Sequence, residues 1–220
     1  MTCPACSSPV QPGQTVCPLC GVTLPQTAQP PLSQVGALST VVAALLALVG
    51  LLHLLSSLAG VENLGVLKLV GTLALVPLFI WWFFLARRNA GHWGRQRRSS
   101  GWAIGAWFLP PVLLWFPFQI ADDAWRASQP ADSGRVRSRV LVVAWWLCWL
   151  IAWFSGFYRR DITTVGPGGT STTVSIGFSL GSTVVSGVFT GAAGLLAAAM
   201  VMIIGRWQQQ RIRATAMTAW

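Results

Sequence analysis

Residues 101–128 read GWAIGAWFLPPVLLWFPFQIADDAWRAS, and whether they cross a membrane decides the side on which every later residue lies. No charge occurs between Ser99 and Ala121, yet Pro110, Pro111 and Pro117 interrupt the run. Pro111 forces Pro110 out of the α region and Pro110 does the same to Leu109, so a helix breaks there. Residues 101–109 rise only about 13 Å at ~1.5 Å per residue, under half of a ~30 Å hydrocarbon core. The stretch 101–121 is therefore expected to be re-entrant. Pro111 would open a second limb through Leu114, Trp115 and Phe118, kinked at Pro117. A kinked helix that spans is the alternative. Freed backbone groups in such a turn need protein or water around them, so the other helices are expected to pack about it.

Working outward, four further charge-poor stretches have roughly the ~20 residues that a crossing needs: 35–59, 65–86, 140–158 and 183–205. Sorting the fifteen Lys and Arg by side tests the central block. With the N-terminus inside and the block not spanning, 12 fall inside and 3 outside; if the block spans, 7 fall inside and 8 outside. The positive-inside rule thus predicts four transmembrane helices plus the re-entrant segment, with both termini cytosolic. Composition agrees with a membrane protein: 54% of residues are hydrophobic, 9% are charged, and mean hydropathy is +0.60. No Lys or Arg precedes the first apolar run, which begins after more than thirty residues, so that run reads as a retained span and not as a secretory signal. Fourteen Arg against one Lys, with abundant Ala and Gly, point to a bacterial source and hence a bacterial cytoplasmic membrane.

Ahead of the membrane part, residues 1–24 carry Cys3-x-x-Cys6 and Cys17-x-x-Cys20, ten residues apart. Two such turns aim four sulfurs at one point, the tetrahedral thiolate shell of a structural zinc site. Disulfides, a redox-active pair and a rubredoxin-type iron site are the other readings. A cytosolic location disfavours disulfides, and the redox reading lacks the βαβ context it needs. So short a segment buries no core, so the metal supplies the folding free energy, ~10–16 kcal/mol in zinc-finger peptides. Gly21 suits the turn after Cys20, while Ser7 holds the matching place after Cys6. The module resembles the short zinc ribbons at the N-termini of many bacterial proteins. Residues 25–34, PQTAQPPLSQ, read as a semi-extended linker. The membrane domain then occupies 35–213, and 214–220 form a tail.

The formal charge of +10 falls to about +8 if four thiolates hold Zn²⁺. The arginines sit beside hydrophobic spans, where orientation and anionic headgroups explain them, so nucleic acid is not an expected partner. Lys68 lies near the start of its span and is expected to snorkel, and Trp81 to Phe84 before Arg87 and Arg88 read as an aromatic and basic border. His53 reads as a neutral imidazole bonded to nearby backbone, with a proton relay or haem ligand as the alternative. Asp122 and Arg126 have the spacing of a helix-face ion pair. A sharper reading makes Gln119, Asp123 and Arg126, with Trp102, Trp107 and Trp115, a polar and aromatic site for a lipid headgroup or small ligand. Trp145, Trp149 and Trp153 form one helical stripe that fills space, and Cys148 reads as a small buried hydrophobe. Residues 162–182 read as an external loop with short strands. Gly187, Gly191 and Gly194 form a packing face, inside the bundle or between protomers of a homo-oligomer.

The run GWAIGAWFLPPVLLWFPFQ followed by WRAS is similar to the signature of the domain of unknown function 4328 family of bacterial membrane proteins, over about residues 80–213. Asn89, Gly101, Trp102, Gly105, Trp107, Phe108, Pro110, Leu114, Trp115, Pro117, Gln119, Trp125, Arg126, Ala127 and Ser128 carry the resemblance. Leu113 stands where the family usually has Asn, Phe118 where it has Tyr and Asp123 where it has Glu. The resemblance implies a bundle of about four membrane helices and no assigned activity. No nucleophile with its base, no paired carboxylates within a span and no open metal shell is evident, so an enzyme is not the expectation. The expected role is a membrane-anchored interaction or regulatory protein whose ribbon and basic loops meet cytosolic protein partners or anionic lipid. A small transporter or lipid-handling protein is the alternative.

Overall fold

A chain in lipid must satisfy its backbone within each segment, and the charge-free runs of this sequence do so as long helices. The computed structural model describes residues 3–10, 16–23, 32–60, 64–130, 139–155, 157–166, 169–178 and 184–217. It divides into two units, residues 1–32 and 33–220. The linker expected at 25–34 lies mostly outside the described residues. Arg135, Arg137 and the end of the tail lie wholly outside them.

The larger unit runs α1 (Gly36–Ala59), α2 (Gly65–Ala90), α3 (Trp102–Gly105), α4 (Pro110–Leu113), α5 (Phe116–Ser128), α6 (Val140–Ser155), β1 (Phe157–Gly166), β2 (Gly169–Phe178) and α7 (Val184–Met217). Among the described residues, α1, α2 and α7 are long and apolar enough to cross a membrane, while α6 is a shorter apolar helix of 16 residues. Three boundaries differ from the sequence expectation. α2 continues through Arg87, Arg88 and Asn89, and α7 runs twelve residues past Gly205, because Arg and Gln are good helix formers that carry a helix on beyond an apolar run. α6 stops at Ser155 and not at 158, because Phe157 and Tyr158 already belong to a strand.

That strand pairs antiparallel with β2, Phe157 opposite Phe178 and Gly166 opposite Gly169. The loop expected at 162–182 is thus chiefly a long hairpin. Its Thr, Val and Ile content suits extended backbone, and Gly166 and Gly169 are its last paired residues.

The tightest helix contact uses small residues. A Cβ on Gly191 would lie 2.7 Å from the Gly50 carbonyl oxygen and collide with Leu54, and one on Gly194 would lie 3.0 Å from Gly50 Cα and Leu46 O. Further along, Gly205 faces Ser39 and Gly36 faces Gln209. This order makes α1 and α7 antiparallel. Gly191 and Gly194 are therefore spent inside the chain, which is the first of the two uses expected for that face.

One end of the bundle is tied together by polar residues from several elements. Ser33 N, just before α1, donates to Asn89 Oδ1 at the end of α2 (2.9 Å), and Asn89 Nδ2 donates to Gln208 Oε1 of α7 (3.2 Å). Gln208 Nε2 donates to Ser128 Oγ at the end of α5 (2.9 Å), and Arg139, just before α6, meets Asp122. The starts of α1 and α6 and the ends of α2, α5 and α7 thus share this end. The chain leaves it after α2 and is back by the end of α5.

Between those points the central stretch forms two single turns and one 13-residue helix. Proline lacks an N–H and fits the first turn of a helix. Accordingly Pro110 and Pro111 open α4, and Pro117 opens α5 at its second position. This corrects the expectation of one second limb that begins at Pro111 and kinks at Pro117. At the far point of the excursion, Trp107 sets its ring edge-on to Phe79 (5.7 Å) and Phe83 (5.9 Å) of α2 and to Trp149 (6.3 Å) of α6. Ile104 and Phe108 share an open apolar groove with Val76, Pro77 and Ile80. Val76 precedes Ala90 by fourteen residues, about 21 Å along α2.

Candidate functional site

The first unit is built on two equivalent turns. Cys3 N donates to Ser8 O (2.9 Å) and Ser7 N to Cys3 O (2.9 Å). Cys17 N donates to Val22 O (2.9 Å) and Gly21 N to Cys17 O (3.0 Å). Ser7 and Gly21 both take left-handed φ values, +57° and +68°. Glycine adopts this at no steric cost, and serine does not, so the first turn is the strained copy. The result brings Cys3, Cys6, Cys17 and Cys20 together, with all four sulfurs within 4.8 Å of one another.

Cys3 Sγ lies 3.6 Å from Cys20 Sγ and Cys6 Sγ 3.7 Å from Cys17 Sγ. A tetrahedron with metal–sulfur bonds of ~2.3 Å has sulfur–sulfur edges of about 3.8 Å. The donor set and its spacing therefore fit a four-thiolate metal ion. The Ser8 hydroxyl, 3.0 Å from Cys6 and 3.4 Å from Cys17, holds both thiols below their usual range, Cys17 down to about 6. Cys20 has a backbone hydrogen bond from Val22 that favours its thiolate, but crowding by Cys6, desolvation, Cys17 and Cys3 pushes it up to about 12. Four thiolates repel when bare and are reconciled by a cation.

The second concentration of polar groups lies at the gathered end of the membrane unit. Asp122 is fully buried and accepts from Arg97 Nη2 (2.7 Å), Arg126 Nη2 (2.9 Å) and Arg139 Nε (2.8 Å). Asp123 accepts Arg97 N and Nε, both at 2.8 Å. The hydrogen bond to Asp123, with Asp122 alongside, pushes the Arg97 guanidinium further up. Arg98 Nε donates to Gln119 Oε1 (3.0 Å), and its guanidinium lies 3.9 Å over the Phe116 ring. The helix-face pair of Asp122 with Arg126 is present, as one of three arginine contacts to that carboxylate.

The other residues singled out in the sequence separate. Trp102 stands edge-on to Phe116 at 4.9 Å, Trp107 is half-buried in the aromatic cluster with its Nε1 buried and unpartnered among the described residues, and Trp115 is exposed. Gln119 and Asp123 are already engaged by Arg98 and Arg97. Trp82 and Phe83 are core residues and not an interfacial border, because Trp82 Nε1 donates to Ser39 Oγ (2.8 Å) and so faces α1. Within the tryptophan stripe Trp149 stacks on Trp153 (5.5 Å), and Trp146 joins it from outside the stripe (4.8 Å). Lys68 donates to Ser56 Oγ of α1 (3.1 Å). His53 is buried, and its Nδ1 has no partner among the described residues, so the backbone bond expected of its imidazole is not made there.

Sequence reasoning passed over Arg97, Arg98 and Gln208. The two arginines read as part of a basic loop, and Gln208 as one of three glutamines after the last span. Helical spacing offered a partial signal, since Gln208 lies three residues after Gly205 in a run that stays helical.

No curated protein and no solved structure matches the chain. A family profile described as Domain of unknown function (DUF4328) matches residues 53–206, starting earlier than the residues that carry the resemblance and taking in α2 to α6 entire. The match spans well over half of the 220 residues and includes the buried Asn89, Gln119, Asp122 and Asp123; the chain belongs to the DUF4328 family.

Proposed function

We propose that this protein is a membrane-anchored interaction or regulatory protein, in which a structural zinc module recruits cytosolic protein partners and the arginine-bearing end of the bundle meets anionic lipid. The observation that carries the reading is the closed four-thiol cluster. All its ligands are protein sulfurs, which leaves no open position for catalysis and makes the module a folded surface. Zinc is the ion proposed, on the preference of four-thiolate shells for it.

The topology proposed is four membrane helices, α1, α2, α6 and α7, with residues 101–121 re-entrant. Its support is the return of the chain to the polar end and the reach of Trp107 and Phe108 along α2. α6 rises about 24 Å, a shortfall that local thinning of the bilayer accommodates. On the positive-inside rule, the arginines at the polar end support a proposed position on the cytosolic side of a bacterial cytoplasmic membrane, together with both termini. A homo-oligomer through Gly187, Gly191 and Gly194 is not part of this reading, because α1 fills the space over the last two. Nucleic acid has no role in it. One observation favours the second reading, a transporter or lipid-handling protein: the buried, unpartnered Nε1 of Trp107 beside the re-entrant turn.

Recruitment is tested on the full chain, comparing wild type with a Cys3→Ser, Cys6→Ser double variant by metal analysis and native copurification. One zinc per chain and a specific set of cytosolic proteins are expected of the wild type, with both lost in the variant. Recovery of the same proteins by the variant would overturn the recruiting role.

A further inference from the structure

Asp122 anchors three guanidinium groups, and one carboxylate cannot neutralise three. Asp123 adds a second negative charge and Arg98 a fourth positive one, so the cluster of Arg97, Arg98, Arg126 and Arg139 with Asp122 and Asp123 carries a surplus of two positive charges. Arg97, Arg126 and Arg139 keep 45%, 49% and 46% of their side-chain surface exposed. Asp122 fixes where they stand, so little side-chain entropy remains to be lost when they meet an anion.

Arg139 also stands at the head of an apolar groove. Val140, Val143, Ala144 and Leu147 line it with Arg139, a shallow groove of about 620 Å³ open to the surroundings. Their spacing of three, four and seven residues puts them on one face of α6. Val140 and Leu147 are 69% and 52% exposed. A cationic head with an apolar track along a membrane helix matches one ligand chemistry, an anion attached to a hydrocarbon chain.

We propose that this is a binding site for an anionic phospholipid, with its phosphate on Arg139 and Arg126 and one acyl chain along the Val140, Val143, Ala144 and Leu147 face. The surplus positive charge selects an anionic headgroup over one that carries its own ammonium. The apolar track selects a lipid over free phosphate. The site deepens the proposed function and rests on its placing this end at the membrane surface, but it needs neither the ribbon nor its partners.

The test is a titration of the full-length protein in detergent, read by native mass spectrometry. The probes are dioleoylphosphatidylglycerol, dioleoylphosphatidylcholine and glycerol 3-phosphate. The wild type should retain phosphatidylglycerol about tenfold more tightly than phosphatidylcholine, as expected of a charge-assisted contact. Equimolar glycerol 3-phosphate should not displace it. Arg139→Gln should bring the two lipids level. Val143→Trp, which fills the groove and leaves the arginine cluster intact, should weaken both. Equal retention of the two lipids by the wild type, undiminished selectivity in Arg139→Gln, undiminished binding in Val143→Trp, or displacement by glycerol 3-phosphate would each overturn the proposal. In detergent neither sidedness nor partner recruitment enters, so failure of the proposed function leaves these readings unchanged.

Discussion

The two halves of α2 carry similar apolar residues and meet opposite surroundings. Val66, Leu67, Leu69, Val70 and Leu73 are exposed, whereas Trp82, Phe83, Leu85 and Ala86 are buried. Hydrophobicity does not separate them. What separates them is the polar company of the second half: Trp82 bonds Ser39, and Asn89 ties Ser33 to Gln208. Lipid tails are as apolar as leucine, so burial of apolar surface gives helices little reason to associate, and small or hydrogen-bonding residues decide where they do. Hydrogen bonds clamp α2 at the polar end, while at the other Lys68 still meets Ser56 of α1 and Val66, Leu67, Leu69, Val70 and Leu73 face outward.

Three substitutions would break or sharpen that contrast, each read as unfolding free energy of the full chain in detergent. Asn89→Ala should cost most, about 3 kcal/mol, because it strands the buried Gln208 Oε1 and the half-buried Ser33 N and O. A loss under about 1 kcal/mol would mean that the polar end is not the clamp. Gly194→Leu should come next, at about 2 kcal/mol, since a side chain there meets Gly50 and Leu46 backbone that has nowhere to go. Were its unfolding unchanged, the close approach of α1 and α7 would be in question. Leu69→Ala, on the outward half of α2, should stay within about 0.5 kcal/mol of wild type. A larger loss would show that this face has a protein partner.

The fold was legible where chemistry is local. The Pro110–Pro111 pair announced the break at 109–110, the four cysteines announced their cluster, and the absence of charge announced the long helices, whereas Pro117 announced only a kink where a new helix in fact begins. Pairwise partners were not legible, since nothing in the order RQRR says that Arg97 reaches Asp122 and Asp123 across some twenty-five residues while Arg98 turns to Gln119. The same limit hid Trp82, which reads as an interfacial aromatic until Ser39 of another helix is found beside its indole N–H. Ser7 was the opposite case. Its place in the repeat of the two turns already marked it as the residue that must bend where glycine would do so freely.

The antiparallel seam of α1 and α7 bears on how the protein comes to exist. Leu54 and Gly191 are 137 positions apart, and the hairpin of β1 and β2 is made before the second reaches the first. At ~5–20 residues per second, a ribosome needs about 7–27 s to cover that distance. During this interval the first helix sits in the bilayer without its closest neighbour, its glycine and serine face turned to lipid or to α2. Assembly of the bundle is therefore a late event that awaits the last helix.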